Sequence, residues 1–327
     1  MTTATTPTPT TGIRLRRVVL MVVLSIVVYA AFALWGDVHK IGIGLGRFRW
    51  WTFGAALGLA FGNYVLRFFK WQFYLARLDV RDVGVVDSFL TFLSGFALTV
   101  SPGKVGEIFK SIVLLETHGV PIERTAPIVV ADRLSDVLGI AVLIAIGSIG
   151  FRGGLVPAAL GAAFVLALVV VVSSRRASRR VIAFVSSLPG PFRKIGPRLD
   201  AAYDSLALLV SPKNLVLPTL LSTAAWLLEC LALAVILRGF AADVPVTLCT
   251  FFYATSTLAG AASGSPGGIG VTEAGLREQM TTMGHVDAAT STAAMMLVRF
   301  ATLWFAVALG FAAIAAIKRR YPHLLKS

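Results

Sequence analysis

The chain has little of the chemistry that soluble enzymes use. Only two of its 327 residues are cysteine, Cys230 and Cys249, and both fall in or beside apolar stretches. That excludes a disulfide framework and a thiolate metal site. The four histidines, His39, His118, His285 and His323, fall in expected loops or at the tail without ligand spacing, so no metal site is expected. Charge is scarce too, at 14% of residues where soluble domains carry about 25%. Acidic residues are the scarcer kind: 16 Asp and Glu stand against 30 Lys and Arg, a net charge of +14. In a soluble protein this excess would point to nucleic acid. Here the basic residues flank apolar runs, which sets membrane topology and attracts anionic lipid, so no nucleic-acid partner is expected. No nucleophile–base pair is evident, and Ser265-Pro266-Gly267-Gly268 lacks the Lys-Ser/Thr of a nucleotide loop, so no cofactor is expected.

What remains is apolar. Hydrophobic residues make up 57% of the chain and mean hydropathy is +0.81, enough for roughly eight apolar segments at about 20 residues per span. Residues 1–13 are Thr- and Pro-rich, a composition that favours a disordered tail. Arg14, Arg16 and Arg17 precede an apolar run at 18–35. Ala31-Phe32-Ala33 resembles a signal-peptide cleavage site, but the spans that follow favour an uncleaved first span with its N-terminus in the cytoplasm. A Gly-rich external loop is expected at 36–50 and a second span at 50–69, where Gly54, Gly58 and Gly62 would give a smooth packing face. Further spans are expected at 125–150, 155–172, 214–237 and 287–317. The basic runs Arg175–Arg180 and Lys318–Arg320 mark the cytoplasmic side. The insert at 173–213 carries two weakly amphipathic pieces suited to the membrane surface.

Two segments do not fit as spans. Residues 87–99 form an apolar arm about 20 Å long as a helix, against about 15 Å for half a bilayer core. They break at Pro102-Gly103, and a return arm runs to residue 118. Residues 246–263 break at Ser265–Gly270 and return as 271–283. Pro and Gly at both breaks suit a turn. The charge bias places both ends of segment 87–118 inside and both ends of segment 246–283 outside. The expected fold is thus an all-α polytopic membrane protein with about six full spans and two re-entrant helical hairpins. Both termini are cytoplasmic, and two inverted-topology repeats cover 14–150 and 151–320. The register repeats as well, since Glu107 and Arg133 are as far apart as Glu273 and Arg299 (133 − 107 = 299 − 273 = 26).

Irregular backbone inside a membrane needs protein or water to satisfy it, so two breaks near the midplane imply an internal cavity. The return arms begin near Lys104 and Val271, and their N-terminal N–H groups suit an anion such as phosphate. Gly103, Gly106, Gly267, Gly268 and Gly270 either admit a ligand close to the backbone or only make the turns. Arg133 and Arg299 are intramembrane cations. They either hold a lipid phosphate or pair with Glu107, Glu273, Asp132 or Asp136. Glu107 and Glu273 either favour their helix dipoles or act as gates or proton carriers. Lys104 either contacts phosphate or snorkels to the cytoplasm. Pro102, Pro266, Asp132, Asp136, Asn63 and Glu229 are structural or gating candidates, with Glu229 protonated or paired. Arg67, Lys70, Arg77 and Arg81 are expected to mark the cytoplasmic end of the second span, with Arg67 snorkelling from it, and Arg277 and Glu278 to face the external side.

The run Ser101–Lys110 (SPGKVGEIFK), the element Asp132-Arg133-Leu134-Ser135-Asp136 and the later SPGGIGVTEAGL resemble the lysylphosphatidylglycerol synthase transmembrane family. This is also called the flippase-like family, the membrane domain of multiple peptide resistance factor proteins. The resemblance covers about Arg14 to Arg320. Pro102, Gly103, Gly106 and Glu107 match its first element; Asp132, Arg133 and Asp136 match its second; Pro266, Gly267, Gly268, Gly270 and Glu273 match its third. It implies movement of an anionic or modified lipid between leaflets, and the soluble synthase domain of the resistance factors has no counterpart in this sequence.

The expected function is therefore a multi-pass flippase or transporter of the cytoplasmic (inner) membrane rather than an enzyme. It would move a phospho- or polyprenyl-phosphate lipid, with membrane lipids as partners. Two rivals are a membrane-embedded transferase on a lipid-linked substrate and a non-transporting partner of a lipid-modifying enzyme, recruited through 173–213. A transferase needs a donor site, and none is evident.

Overall fold

The computed structural model describes residues 38–100, 105–149 and 205–322 and the isolated positions 151, 156, 159 and 163. The expected spans at 18–35 and 155–172, the tip residues Pro102, Gly103 and Lys104, and the side chains of Gly106 and Glu107 lie outside the described residues. So do the terminal tails at 1–13 and 323–327 and most of the 173–213 insert. Secondary structure among the described residues is helical throughout.

Helix α1 covers Val38–Arg47, where a loop was expected. Ile41, Leu45 and Phe48 recur at helical spacing, and Ile41 packs on Ala289 and Ala293. The gain from burying that stripe outweighs the helix cost of the intervening glycines. Helix α2 runs Trp51–Arg77 and is longer than expected, because Lys70 is fully buried and does not mark an aqueous helix end. Its packing face is Thr52, Ala56, Ala60 and Asn63. Gly54 and Gly58 meet nothing within 4 Å, and of the expected glycine face only Gly62 approaches a neighbour, Leu228 of the 212–239 helix. Asn63 ties that face to the next layer, its amide donating to the Ala225 carbonyl at 2.8 Å.

Helix α3, Val85–Ser94, tightens into a 3-10 turn at Gly95–Leu98; α4 is Val105–His118. After one turn at Ile122–Thr125, α5 covers Pro127–Ser148. Then follow α6, Pro212–Gly239, and α7, Val246–Ala262. A short turn at Pro266–Gly268 leads to α8, Val271–Thr282, and α9, Ala288–Arg299. Asp287 caps α9 by accepting from the Ala289 and Thr290 N–H groups at 3.1 and 3.0 Å. A π turn at Phe300–Trp304 joins α9 to α10, Phe305–Arg320.

Helices 212–239 and 288–320 are long and apolar enough to cross a membrane. Helices α2 and α5 have spanning length but carry charge in mid-helix: Arg67 and Lys70 in one, Asp132, Arg133 and Asp136 in the other. Helix α6 is the hub and packs on α2, α5, α7 and α9. Leu233, Ile236, Leu237, Phe252 and Met295 fill the space between them. The two helix pairs pack crosswise: α3 with its 3-10 turn lies on α10, and α7 lies on α5. The first contact is very close, since a Cβ on Gly310 would stand 2.1 Å from the Ala97 nitrogen.

Candidate functional site

Arg67 and Lys70 lie one turn apart on α2; Asp132 and Asp136 lie one turn apart on α5, so each pair shares a helix face. Lys70 Nζ sits 2.7 Å from Asp132 Oδ1 and 2.6 Å from Asp136 Oδ1. It also donates to Ser222 Oγ on α6 at 2.7 Å. Arg67 reaches Asp136 at 3.1 Å and Asp132 at 3.4 Å. Arg67 is thus part of a buried network and does not snorkel. Arg133 stands 3.8 Å from Asp136, and its side chain is 33% exposed, making it the most open charge of the group. Two carboxylates facing two cations and two serine hydroxyls offset most of the cost of burying charge in apolar surroundings.

A second network fixes the 264–270 loop. Glu273 is fully buried; its Oε1 takes Arg299 Nε at 2.7 Å, and its Oε2 takes the Gly270 N–H at 2.7 Å. Arg299 also donates to the Gly267 carbonyl at 2.8 Å. One carboxylate therefore caps α8 and clasps the cation that holds the preceding turn. Gly267, Gly268 and Gly270 all have positive φ, which residues with a Cβ adopt at a cost. Arg277 is buried and donates to Thr292 Oγ1 at 3.0 Å, which ties α8 to α9.

Between these networks lies a third. The Tyr253 hydroxyl is 2.7 Å from Glu229 Oε2 and 3.1 Å from Thr302 Oγ1. Thr302 sits in the π turn, and its carbonyl accepts from the Tyr64 hydroxyl at 2.6 Å. A π turn leaves backbone carbonyls outside the regular ladder, and a phenol here takes one of them.

All three networks border one cavity of about 140 Å³, far above the ~10–15 Å³ that one water requires. Both breaks reach it: Phe96 and Thr99 line it from one side, Gly267 and Gly268 from the other. Val100 and Ile269 share an apolar cluster with Leu303 beside it. Among the described residues, Arg67, Lys110, Arg133 and Arg299 stand on its wall against one carboxylate, Glu229. Asp132, Asp136 and Glu273 lie behind that wall. Among the described residues, Arg67 Nε, Trp226 Nε1 and Thr257 Oγ1 are buried without hydrogen-bond partners. Among the described residues the wall carries more cations than carboxylates, which fits an anion.

Lys110 was missed by reading the sequence. It is 6% exposed and lies over the Trp71 and Phe92 rings at 4.9 and 5.5 Å, with no carboxylate or hydrogen-bond partner among the described residues. The available signal was its place in SPGKVGEIFK, three residues after Glu107 on the same helix face. Of the expected site residues, Arg133, Arg299, Glu229, Gly267 and Gly268 border the cavity. Glu273, Gly270, Asp132 and Asp136 hold those residues in place, while Asn63 serves a helix contact.

The class of protein is therefore a helical membrane protein with an internal, positively lined cavity. The family profile described as lysylphosphatidylglycerol synthase TM region matches residues 21–310, and the chain belongs to that family. It is also similar to a UPF0104 membrane protein of Methanothermobacter thermautotrophicus, 27% identical over 270 residues that cover 75% of this chain and 79% of the relative.

Proposed function

We propose that this protein moves a phosphate-bearing anionic or modified lipid between the leaflets of the cytoplasmic membrane. The headgroup would enter the cavity where the two breaks meet, with the acyl chains left in the bilayer. The observation that carries this reading is the cavity wall, which among the described residues has four cations, orphaned donors and one carboxylate. Lys110, whose partners among the described residues are aromatic rings, and Arg133, whose side chain is one-third exposed, would hold the phosphate. Arg299, clasped by Glu273, would position the glycine turn against it. The crosswise packing of α3 on α10 and α7 on α5 supports two inverted repeats, with each break resting on the other half.

The test is mass spectrometry of lipids copurifying with wild type and with Lys110→Gln/Arg133→Gln, beside exchange of a fluorescent phosphatidylglycerol in reconstituted vesicles. Enrichment of a phosphate lipid that falls at least about tenfold in the variant, equivalent to about 1.4 kcal/mol, is the expected result. Identical bulk lipid in both proteins, with no exchange above empty vesicles, would sink the reading.

A further inference from the structure

Glu229 differs from the other buried carboxylates around the cavity. Asp132, Asp136 and Glu273 each pair with Lys70, Arg67 or Arg299. Glu229 is 6% exposed on the cavity wall, and among the described residues it has no cation within ion-pair distance and one hydrogen-bond partner, Tyr253. The groups facing it from each neighbouring helix are few. Helix α2 presents Tyr64 and Arg67, α5 presents Asp136, α7 presents Tyr253, and α9 with its π turn presents Arg299 and Thr302. Cys230 stands beside it on α6. The nearest cations are already held by other carboxylates.

Counting hydrogens favours a proton on Glu229. Thr302 Oγ1 has one proton, and its shorter contact, 2.8 Å to the Val298 carbonyl, takes it. Tyr253 also has one proton but two oxygen neighbours, Thr302 Oγ1 and Glu229 Oε2. With an ionised Glu229 the phenol must choose, and one contact has no hydrogen in it. With a protonated Glu229 the chain closes: Glu229 donates to Tyr253, Tyr253 to Thr302, and Thr302 to Val298. A buried carboxylate without a cation is also the costlier form.

Lys110 lines the same cavity, and its partners among the described residues are aromatic rings. An anion brought to Lys110 would share the cavity with an ionised Glu229 at high electrostatic cost. We propose that Glu229 is a proton site coupled to the cavity's anion, so that a phosphodiester headgroup at Lys110 binds together with one proton on Glu229. This rests on the anionic cargo proposed above and adds its coupling ion. Linkage makes the effect reciprocal: the anion raises proton affinity, and the proton raises anion affinity by the same factor. A transmembrane proton gradient then biases the direction in which the headgroup moves.

The experiment measures binding of dihexanoyl phosphatidylglycerol to the detergent-purified full chain from pH 5.5 to 8.5, a range in which this lipid keeps a single charge. Dimethyl phosphate serves as the soluble phosphodiester. Wild type is expected to weaken by up to about tenfold per pH unit as Glu229 ionises, and to take up close to one proton per lipid in weakly buffered solution at high pH. Glu229→Gln keeps an N–H donor for Tyr253 and should bind with no pH dependence, near the wild-type acid limit. Lys110→Arg, which fixes the charge at that position, should keep the slope. Proton uptake needs no variant, so a misfolded Glu229→Gln leaves the test intact. Wild-type binding with a flat pH profile and no proton uptake overturns the coupling while leaving the anion site. A slope that survives in Glu229→Gln or vanishes in Lys110→Arg moves the proton to another group and also overturns it. Failure of wild type to bind either probe at any pH overturns the anionic-cargo reading and this proposal with it. Proton-linked binding of dimethyl phosphate alone supports the coupling and assigns the site to soluble phosphodiesters.

Discussion

Lys70 shows most clearly how single residues hold this site. It is wholly buried, and its ammonium is the shared counter-charge of Asp132 and Asp136. Replacing it with methionine keeps the volume and leaves two carboxylates facing each other, with Arg67 and Arg133 as their remaining ion-pair partners among the described residues. Breaking a buried pair from one side costs about 3–5 kcal/mol, because the remaining charge is uncompensated. Lys70→Met should therefore melt far below wild type in detergent, and Lys70→Met/Asp136→Asn should recover part of the loss. Equal melting of wild type and Lys70→Met would show that the network is solvated and not structural. The sequence marked Asp132, Arg133 and Asp136 through their spacing but assigned Arg67 and Lys70 to a helix end. Their counter-charges lie 65 and 66 positions away, and only folding brings them together. Lys110 was hidden for a related reason: its aromatic partners Trp71 and Phe92 come from two other helices.

At the scale of elements, close helix approach rests on a few small residues, and hydropathy alone does not say which. The 54, 58, 62 glycine stripe on α2 has the spacing of a packing face, yet only Gly62 meets α6, and the alanines and threonine two positions out of phase take most of the contact. Helix α6 comes from later in the chain and selects the face by shape and by the Asn63 bond. Gly310 is the opposite case, with no repeat to announce it and the Ala97 backbone pressed against it. Gly310→Val should force α10 off the 3-10 turn and destabilise by about 1–3 kcal/mol. Gly54→Ala, which meets nothing within 4 Å, should be neutral or stabilising by up to about 1 kcal/mol. Melting the two variants side by side checks the helix faces. A neutral Gly310→Val would mean that α10 and the turn do not pack as described. The element boundaries were largely legible, because Pro, Gly and capping residues punctuate the chain. The π turn was not, since Phe300–Trp304 carries no local signal and takes its form from Tyr64 and Tyr253 on distant helices.

At the scale of the whole molecule, the two broken segments meet beside the cavity. Val100, at the end of the first broken arm, shares a cluster with Ile269 and with Leu303 of the π turn. If the halves rock to expose a headgroup alternately, this contact must open in each cycle, because it joins the first break to the second and to the last long helix. A short bismaleimide bridge between Val100→Cys and Leu303→Cys should therefore stop lipid exchange in vesicles while leaving headgroup binding in place. The native thiols give a quiet background, as Cys230 and Cys249 are both buried and unbridged. Each single-cysteine variant treated with the reagent controls for bulk at the contact. Exchange that continues at the full rate through the bridge would mean that the tips do not part. The cargo would then pass along the protein's outer surface, and the cavity would serve only to hold an ion. Exchange that stops together with binding would place the bridge in the headgroup's own path, assigning Val100 and Leu303 to the site itself. The expected separation of binding from movement is what distinguishes a transporter that alternates from a cavity that only binds.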